Sequence, residues 1–142
     1  MKNRIGCRIL DCPRPDAALI EGFRGLPSSN IGDQMERLYN TNSSLKSLNH
    51  IPLRGPAFAV KVPQGPYRNG PGEINVPVCC GGRVICLDNI LVGDRDGIVV
   101  IPPEFAAEIL PKVKEKSESE QRAITSGKGG NRAWVDRLIE AL

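Results

Sequence analysis

The residues ILVGDRDGIVVIPP, at positions 90–103, restrict the fold more than any other stretch. Residues 98–101 are a continuous β-branched run, the composition of a strand covered on both faces. A second apolar run at 90–92 precedes it, with Gly93-Asp94-Arg95-Asp96-Gly97 between. The spacing predicts an antiparallel hairpin whose Asp-Gly pair supplies the positive φ of the reversal. Pro102-Pro103 then stops the second strand, since neither residue has an N–H for a ladder. With residues 83–87 (RVICL) as a further strand, positions 65–103 read as a β unit around which the rest is arranged.

The flanking sequence is helical in pattern. Residues 15–23 (PDAALIEGF) predict a short helix with a proline and an acid in its first turn and Leu19, Ile20 and Phe23 on one side. Pro27-Ser28-Ser29-Asn30 marks a break and a cap. A second helix is expected from about Ile31, with Ile31, Met35 and Leu38 at i, i+4, i+7 and Asp33 as a capping acid on its first turn. Residues 39–54 are polar and loop-like. Residues 57–62 (AFAVKV) alternate and place Phe58, Val60 and Val62 on one face of a strand. Residues 63–72 (PQGPYRNGPG) are too short and too rich in Gly and Pro for a crossover helix. Residues 74–78 (INVPV) are strand-like, with Pro77 pushing the strand toward an edge or a bulge.

From 104 to about 123 the pattern is a long amphipathic helix with Phe105, Ile109, Leu110 and Val113 as its apolar stripe. Its distal half is charged almost all round and is expected to project or to meet a partner. After a flexible break at 126–130, Asn131 caps a final helix with Trp134, Val135, Leu138, Ile139 and Leu142 on one side. These readings make one α/β domain over 1–142. It has N-terminal helices and a first strand over 1–62, the β unit over 65–103, and C-terminal helices over 104–142.

Charge and composition narrow the function. The formal net charge is only +3 and acids are interleaved with bases, as in KVKEKSE at 112–118, which is a solvated helix face and gives no support to direct nucleic-acid binding. No stretch is long and apolar enough for a membrane span or a secretory leader, so the cytoplasm is the expected compartment. The five cysteines, Cys7, Cys12, Cys79, Cys80 and Cys86, form no CxxC pair and read as reduced, small apolar residues. The single histidine, His50, has no companion at metal-ligand spacing. Gly127-Lys128 lacks the following Ser or Thr of a phosphate loop, and Gly70-Pro71-Gly72-Glu73 lacks a dinucleotide fingerprint. Asp94 and Asp96 offer paired carboxylates for a cation, although turn chemistry accounts for Asp96 alone.

Four blocks, at 23–33 (FRGLPSSNIGD), 53–63 (LRGPAFAVKVP), 65–78 (GPYRNGPGEINVPV) and 93–102 (GDRDGIVVIP), together resemble the RraA-like proteins. These are the regulator of ribonuclease activity A and its relatives, the class II 4-hydroxy-4-methyl-2-oxoglutarate aldolases, often named as demethylmenaquinone methyltransferases. The resemblance implies a swivelling β/β/α fold, homotrimers with sites at subunit interfaces, and Mg²⁺-dependent retro-aldol cleavage to pyruvate with accompanying oxaloacetate decarboxylation. In such chemistry a divalent cation and an arginine hold the 2-oxo acid and take up the charge on its carbonyl oxygen.

The resemblance also exposes a departure. Between the second and third blocks the family has a long middle section with an Arg-Asp motif that clamps substrate and metal, and here Gly65 passes directly into the third block. Arg95-Asp96 is no substitute, because it sits in the hairpin, Ile74 stands where the upstream glycine belongs and Val99 where the downstream acid belongs. No catalytic, substrate-binding or metal-binding residue is therefore assigned. The family's interface acid corresponds to Glu118 or Glu120. The expectation is an RraA-like protein of aldolase descent that is inactive alone, with a non-catalytic, protein-binding regulatory module as the alternative.

Overall fold

The hairpin expected around the Asp-Gly pair forms the centre of the molecule. In the computed structural model, residues 7–11, 13–45, 51–61 and 72–127 are described, together with 137, 139 and 140. Strands β7 (Ile90–Gly93) and β8 (Ile98–Ile101) pair antiparallel, with Gly93 opposite Ile98 and the reversal at 94–97. The Asp94 N–H donates to the Gly97 carbonyl at 3.0 Å, and Gly97 has φ +152°.

A third strand, β2 (Leu53–Pro56), pairs antiparallel with β7, giving the order β2-β7-β8. This corrects the end of the loop expected at 39–54: Leu53 and Arg54 are extended, because β7 supplies their ladder. Alternation divides β7 and β8 between two apolar clusters. Ile90, Val92, Val99 and Ile101 face the helices, while Val100 faces Ala57 and Ile85 with Leu91 beside them. The β-branched run is therefore covered on both sides, as its composition predicts, and each such side chain contributes about 1.5–3 kcal/mol.

Three helices close the first cluster. Asp16 caps α1 (Ala17–Gly22), its carboxylate accepting the Ala18 N–H at 3.0 Å. Helix α2 (Ser28–Gln34) begins three residues before the expected start, with Pro27, the first residue of the expected break, at its N-cap. Met35 is buried after α2, but Leu38 is 58% exposed, because left-handed residues Glu36 and Arg37 (φ 53° and 60°) end the helical register before it. Helix α3 (Pro103–Thr125) follows β8 at once, with proline in its first turn where no N–H partner is needed. Its buried stripe is Ala106, Ile109 and Val113, with Leu110 partly covered. Phe105 is half-exposed and leans on Tyr39, ring centroids 5.7 Å apart.

Two smaller sheets complete the described residues. Strands β5 (Val78–Cys80) and β6 (Arg83–Ile85) form a hairpin over the second cluster. Its turn uses Gly81 and Gly82 at φ +58° and +74°, and a Cβ on Gly81 would lie 2.9 Å from the Thr41 Cβ. Strands β1 (Cys7–Ile9), β3 (Val60–Lys61) and β4 (Gly72–Ile74) form a sheet of order β1-β4-β3, parallel between β1 and β4. The strand-like 74–78 segment is thus split: Asn75, at φ 65°, ends β4, and Pro77 precedes β5. Of the strand expected at 57–62, Val60–Lys61 is extended and paired, 57–59 is not, and Val62 lies outside the described residues. Ala57 and Ala59 are buried while Phe58 is 59% exposed. The Gly-Pro stretch at 63–71 and most of the final helix lie outside the described residues, although 137, 139 and 140 are helical.

Candidate functional site

The residues with most chemistry meet where the β7–β8 turn touches the start of α2. The first N–H groups of a helix have no acceptor within it. Pro27 supplies no side-chain cap to α2, and the need is met from 66 positions away. The Asp94 carboxylate accepts the Ser28 N–H at 2.7 Å through Oδ2 and the Ser28 hydroxyl at 2.5 Å through Oδ1. Oδ1 also accepts the Asp96 N–H at 2.9 Å. Burial pushes the Asp94 carboxyl up. Hydrogen bonds from the Ser28 hydroxyl and N–H, and from the Asp96 and Gly97 backbone, outweigh it and hold the group below the ordinary aspartate range.

Beside this junction a cleft of about 240 Å³ lies between α2 and the turn, lined by Ser29, Asp33, Arg37, Asn40, Thr41 and Asp96 among others. Asp33 is not a first-turn cap as the sequence suggests. It lies in the last turn of α2, where its carboxylate accepts Lys116 Nζ at 2.5 Å and Arg37 Nε at 2.9 Å. The hydrogen bonds from Lys116 and then Arg37 hold Asp33 below the usual carboxylate range. Asn40 Oδ1 is buried and has no hydrogen-bond partner among the described residues.

On the other side of the turn, a cleft of about 220 Å³ is lined by Leu26, Pro27, Leu53, Arg54 and Asp94 among others. Arg54 Nη2 donates to Glu21 Oε2 at 2.7 Å, and Arg24 donates to the other Glu21 oxygen. The hydrogen bond from Arg24 is the main cause holding Glu21 below its ordinary value.

The remaining sequence candidates are dispersed. Arg95 and Asp96 are exposed on the hairpin turn. Glu120 is engaged within the chain, its Oε2 accepting Asn30 Nδ2 at 2.7 Å, whereas Glu118 is exposed on the distal part of α3. Cys79 is an exposed free thiol, and Cys80 and Cys86 are half-buried. Cys12, His50, Lys128 and the Gly70-Pro71 pair lie outside the described residues. Among the described residues, no group of three or more His, Cys, Asp or Glu is placed to hold a metal ion.

The carboxylates at the junction do not fit a divalent cation. Asp94 Oδ1 accepts two hydrogen bonds and Oδ2 one, all from the chain itself, and Asp33 faces two cationic side chains. The Ser28–Asp94 and Lys116–Asp33 contacts had no sequence signal, since partners 66 and 83 positions apart leave no local pattern.

Residues 45–100 match the family described as RraA-like (Aldolase/RraA). Over that stretch the chain is similar to the RraA-like family. Over 75 residues it is 39% identical to a Halalkalibacterium halodurans protein provisionally named a 4-hydroxy-4-methyl-2-oxoglutarate aldolase. That match takes in 51% of this chain and 36% of the relative, so the chain spans about a third of the length of this curated relative. Among solved structures it is similar to an uncharacterized protein of Pseudomonas syringae pv. tomato, with a TM-score of 0.66, 15% identity, 82% of this chain and 96% of the other covered. It is equally similar to Streptomyces coelicolor RraAS2, described as an unusual member of the RNase ES inhibitor RraA family, with a TM-score of 0.66 and 16% identity. That alignment covers 80% of this chain and 98% of the other. At such identities the structures show the α/β fold alone.

Proposed function

We propose that this RraA-like chain is a cytoplasmic, non-catalytic module of pyruvate-aldolase descent, which acts by associating with protein chains and does not cleave 2-oxo acids itself. Descent is supported by the relative named for aldolase activity. The occupied Asp94 carboxylate carries the rest of the reading. Retro-aldol cleavage and oxaloacetate decarboxylation both pass through a pyruvate enolate, whose charge needs a divalent cation or an equivalent electrophile. A cation needs open carboxylate oxygens, and those of Asp94 serve as the cap of α2. The Mg²⁺ dependence and trimeric assembly that the resemblance implies are parts of this descent, the first without a ligand set among the described residues.

Pyruvate release from oxaloacetate tests the proposal. The purified chain is assayed with Mg²⁺ and with EDTA, each against a protein-free blank, because Mg²⁺ alone assists the decarboxylation. The expected result is no release above the blank. Turnover above the blank that EDTA abolishes overturns the non-catalytic reading.

A further inference from the structure

Strand β2 stands at one end of the β2-β7-β8 order, and on its outer side Arg54 offers groups that the described chain does not use. The register fixes which groups point outward. The Ala57 N–H donates to the Asn89 carbonyl at 2.8 Å, so by alternation Gly55 with Leu91 and Leu53 with Gly93 exchange the bonds to β7. Arg54, between them and opposite Val92, turns its N–H and C=O away from β7. Among the described residues no strand pairs on that side. Pro56, the next outward residue of β2, has no N–H, and neither has Pro52 just before the strand. An edge so poor in donors cannot carry a long ladder, but it can hold one residue of an incoming chain through Arg54.

The Arg54 side chain is also only partly engaged. A guanidinium is a fork of N–H donors, and among the described residues this one gives a single bond, from Nη2 to Glu21 Oε2 at 2.7 Å. Arg24 holds the other Glu21 oxygen, so the carboxylate does not close on Arg54 with both, and Arg54 Nε is buried without an acceptor. Two cations against one carboxylate leave a positive charge in excess here. The Arg54 side chain is 23% exposed, so part of the guanidinium can be reached from outside. Beside it opens the cleft of about 220 Å³, with Phe23, Leu26, Pro27, Leu53 and Val92 in its apolar lining. Asp94, the acid in that lining, is committed to Ser28.

We propose that the β2 edge at Arg54 binds an extended segment of a different protein, one that carries an acidic residue and, two positions away, an aliphatic one. The acidic residue lies opposite Arg54, exchanges main-chain bonds with it and gives its carboxylate to the guanidinium. Residues two apart share a face of an extended chain, so the aliphatic side chain is aimed at the cleft. This names the kind of partner in the association proposed above and rests on that reading. The pyruvate assay and the assay below nevertheless fail separately, since one reads chemistry and the other binding.

The test is fluorescence anisotropy of the full chain with two labelled hexapeptides, Thr-Leu-Thr-Glu-Thr-Val and Thr-Glu-Thr-Leu-Thr-Val, which offer the acidic and aliphatic residues in either direction. Saturable binding of at least one is expected, weakened about tenfold when lysine replaces the glutamate. N-methylation of the glutamate removes its main-chain donor and should weaken binding as well. Arg54→Met should cost about tenfold in affinity. Because that change also removes a contact with α1, Glu21→Gln is its companion: it takes away the competing carboxylate and should tighten binding, which damage to the fold cannot do. Four results overturn the proposal. They are no saturable binding of either peptide, equal binding of the lysine or N-methyl forms, a Glu21→Gln chain that binds no more tightly, and displacement of the peptide by an equal concentration of valerate, which marks a small-carboxylate site.

Discussion

The Asp94 carboxylate, in the turn after β7, holds both the backbone N–H and the hydroxyl of Ser28, in the first turn of α2, at 2.7 and 2.5 Å. One side chain thereby caps a helix that its own sequence leaves uncapped and fixes the central hairpin against it. Ser28 is only 2% exposed, so water cannot replace the lost acceptor when Asp94 is removed. Asp94→Ala should cost about 1–3 kcal/mol and Ser28→Ala about 1 kcal/mol. The double variant should fall short of their sum by about 0.5–1 kcal/mol, because both remove the Ser28 hydroxyl bond while the bond from the Ser28 N–H is lost only with Asp94. Urea unfolding midpoints of the four proteins measure this, and strict additivity sinks the assignment.

The same contact gives a direction to acid unfolding. Asp94 is held below its ordinary value in the folded chain, because donors outweigh the effect of burial, so the unfolded state binds its proton first as pH falls. The contribution is present above the unfolded value of about 3.9 and is lost as pH falls through the lower folded value. Asp33, lowered by Lys116 and Arg37, acts in the same sense. Asp94→Asn should therefore flatten the loss of stability below about pH 4, leaving the Asp33 part. Thermal unfolding at a series of acid pH values reads the slope, and parallel curves for parent and variant contradict the role given to Asp94.

What the sequence reveals here follows from how local each signal is. The β7–β8 hairpin and α3 are legible, since a β-branched run, an Asp-Gly turn and a helical period all act within a few residues. Strand β2 is not, because it is short, carries no apolar alternation of its own and is held extended by its ladder with β7. Over 57–59 burial does alternate, and its buried side is the alanines. Ala57 packs with Ile85 and Val100, while Phe58 is left outside. The candidate site is less legible still: Asp94 and Asp96 stand out as acids, but Ser28, which decides what Asp94 does, lies 66 positions away.

Gly97 tests the turn itself. Its φ of +152° lies where residues with a side chain are rarely found, and a Cβ built there meets nothing within 4 Å. Backbone strain, not crowding, should set the cost of substitution. Gly97→Ala and Gly97→Val should each lose about 1–3 kcal/mol, with valine no more than modestly worse. Denaturant unfolding of both variants decides. A neutral alanine is incompatible with this backbone, and a tolerated alanine beside a ruinous valine points to crowding.

Pro111 stands inside α3, between half-buried Leu110 and exposed Lys112. Proline has no N–H, so the Ala107 carbonyl one turn earlier loses its helical donor, and the ring crowds the same carbonyl. Pro111 is itself exposed, so its removal opens no cavity. Alanine at this position restores the donor and a favourable helix propensity, a difference of about 3 kcal/mol in a helix interior. Part of that gain is returned because alanine gives the unfolded chain more freedom. Pro111→Ala should thus stabilise the protein by about 1–2 kcal/mol, seen as a higher urea midpoint at an unchanged slope. If the variant is instead less stable, the proline sets a bend that the docking of Ile109 and Val113 requires, and a straight α3 packs less well against α2.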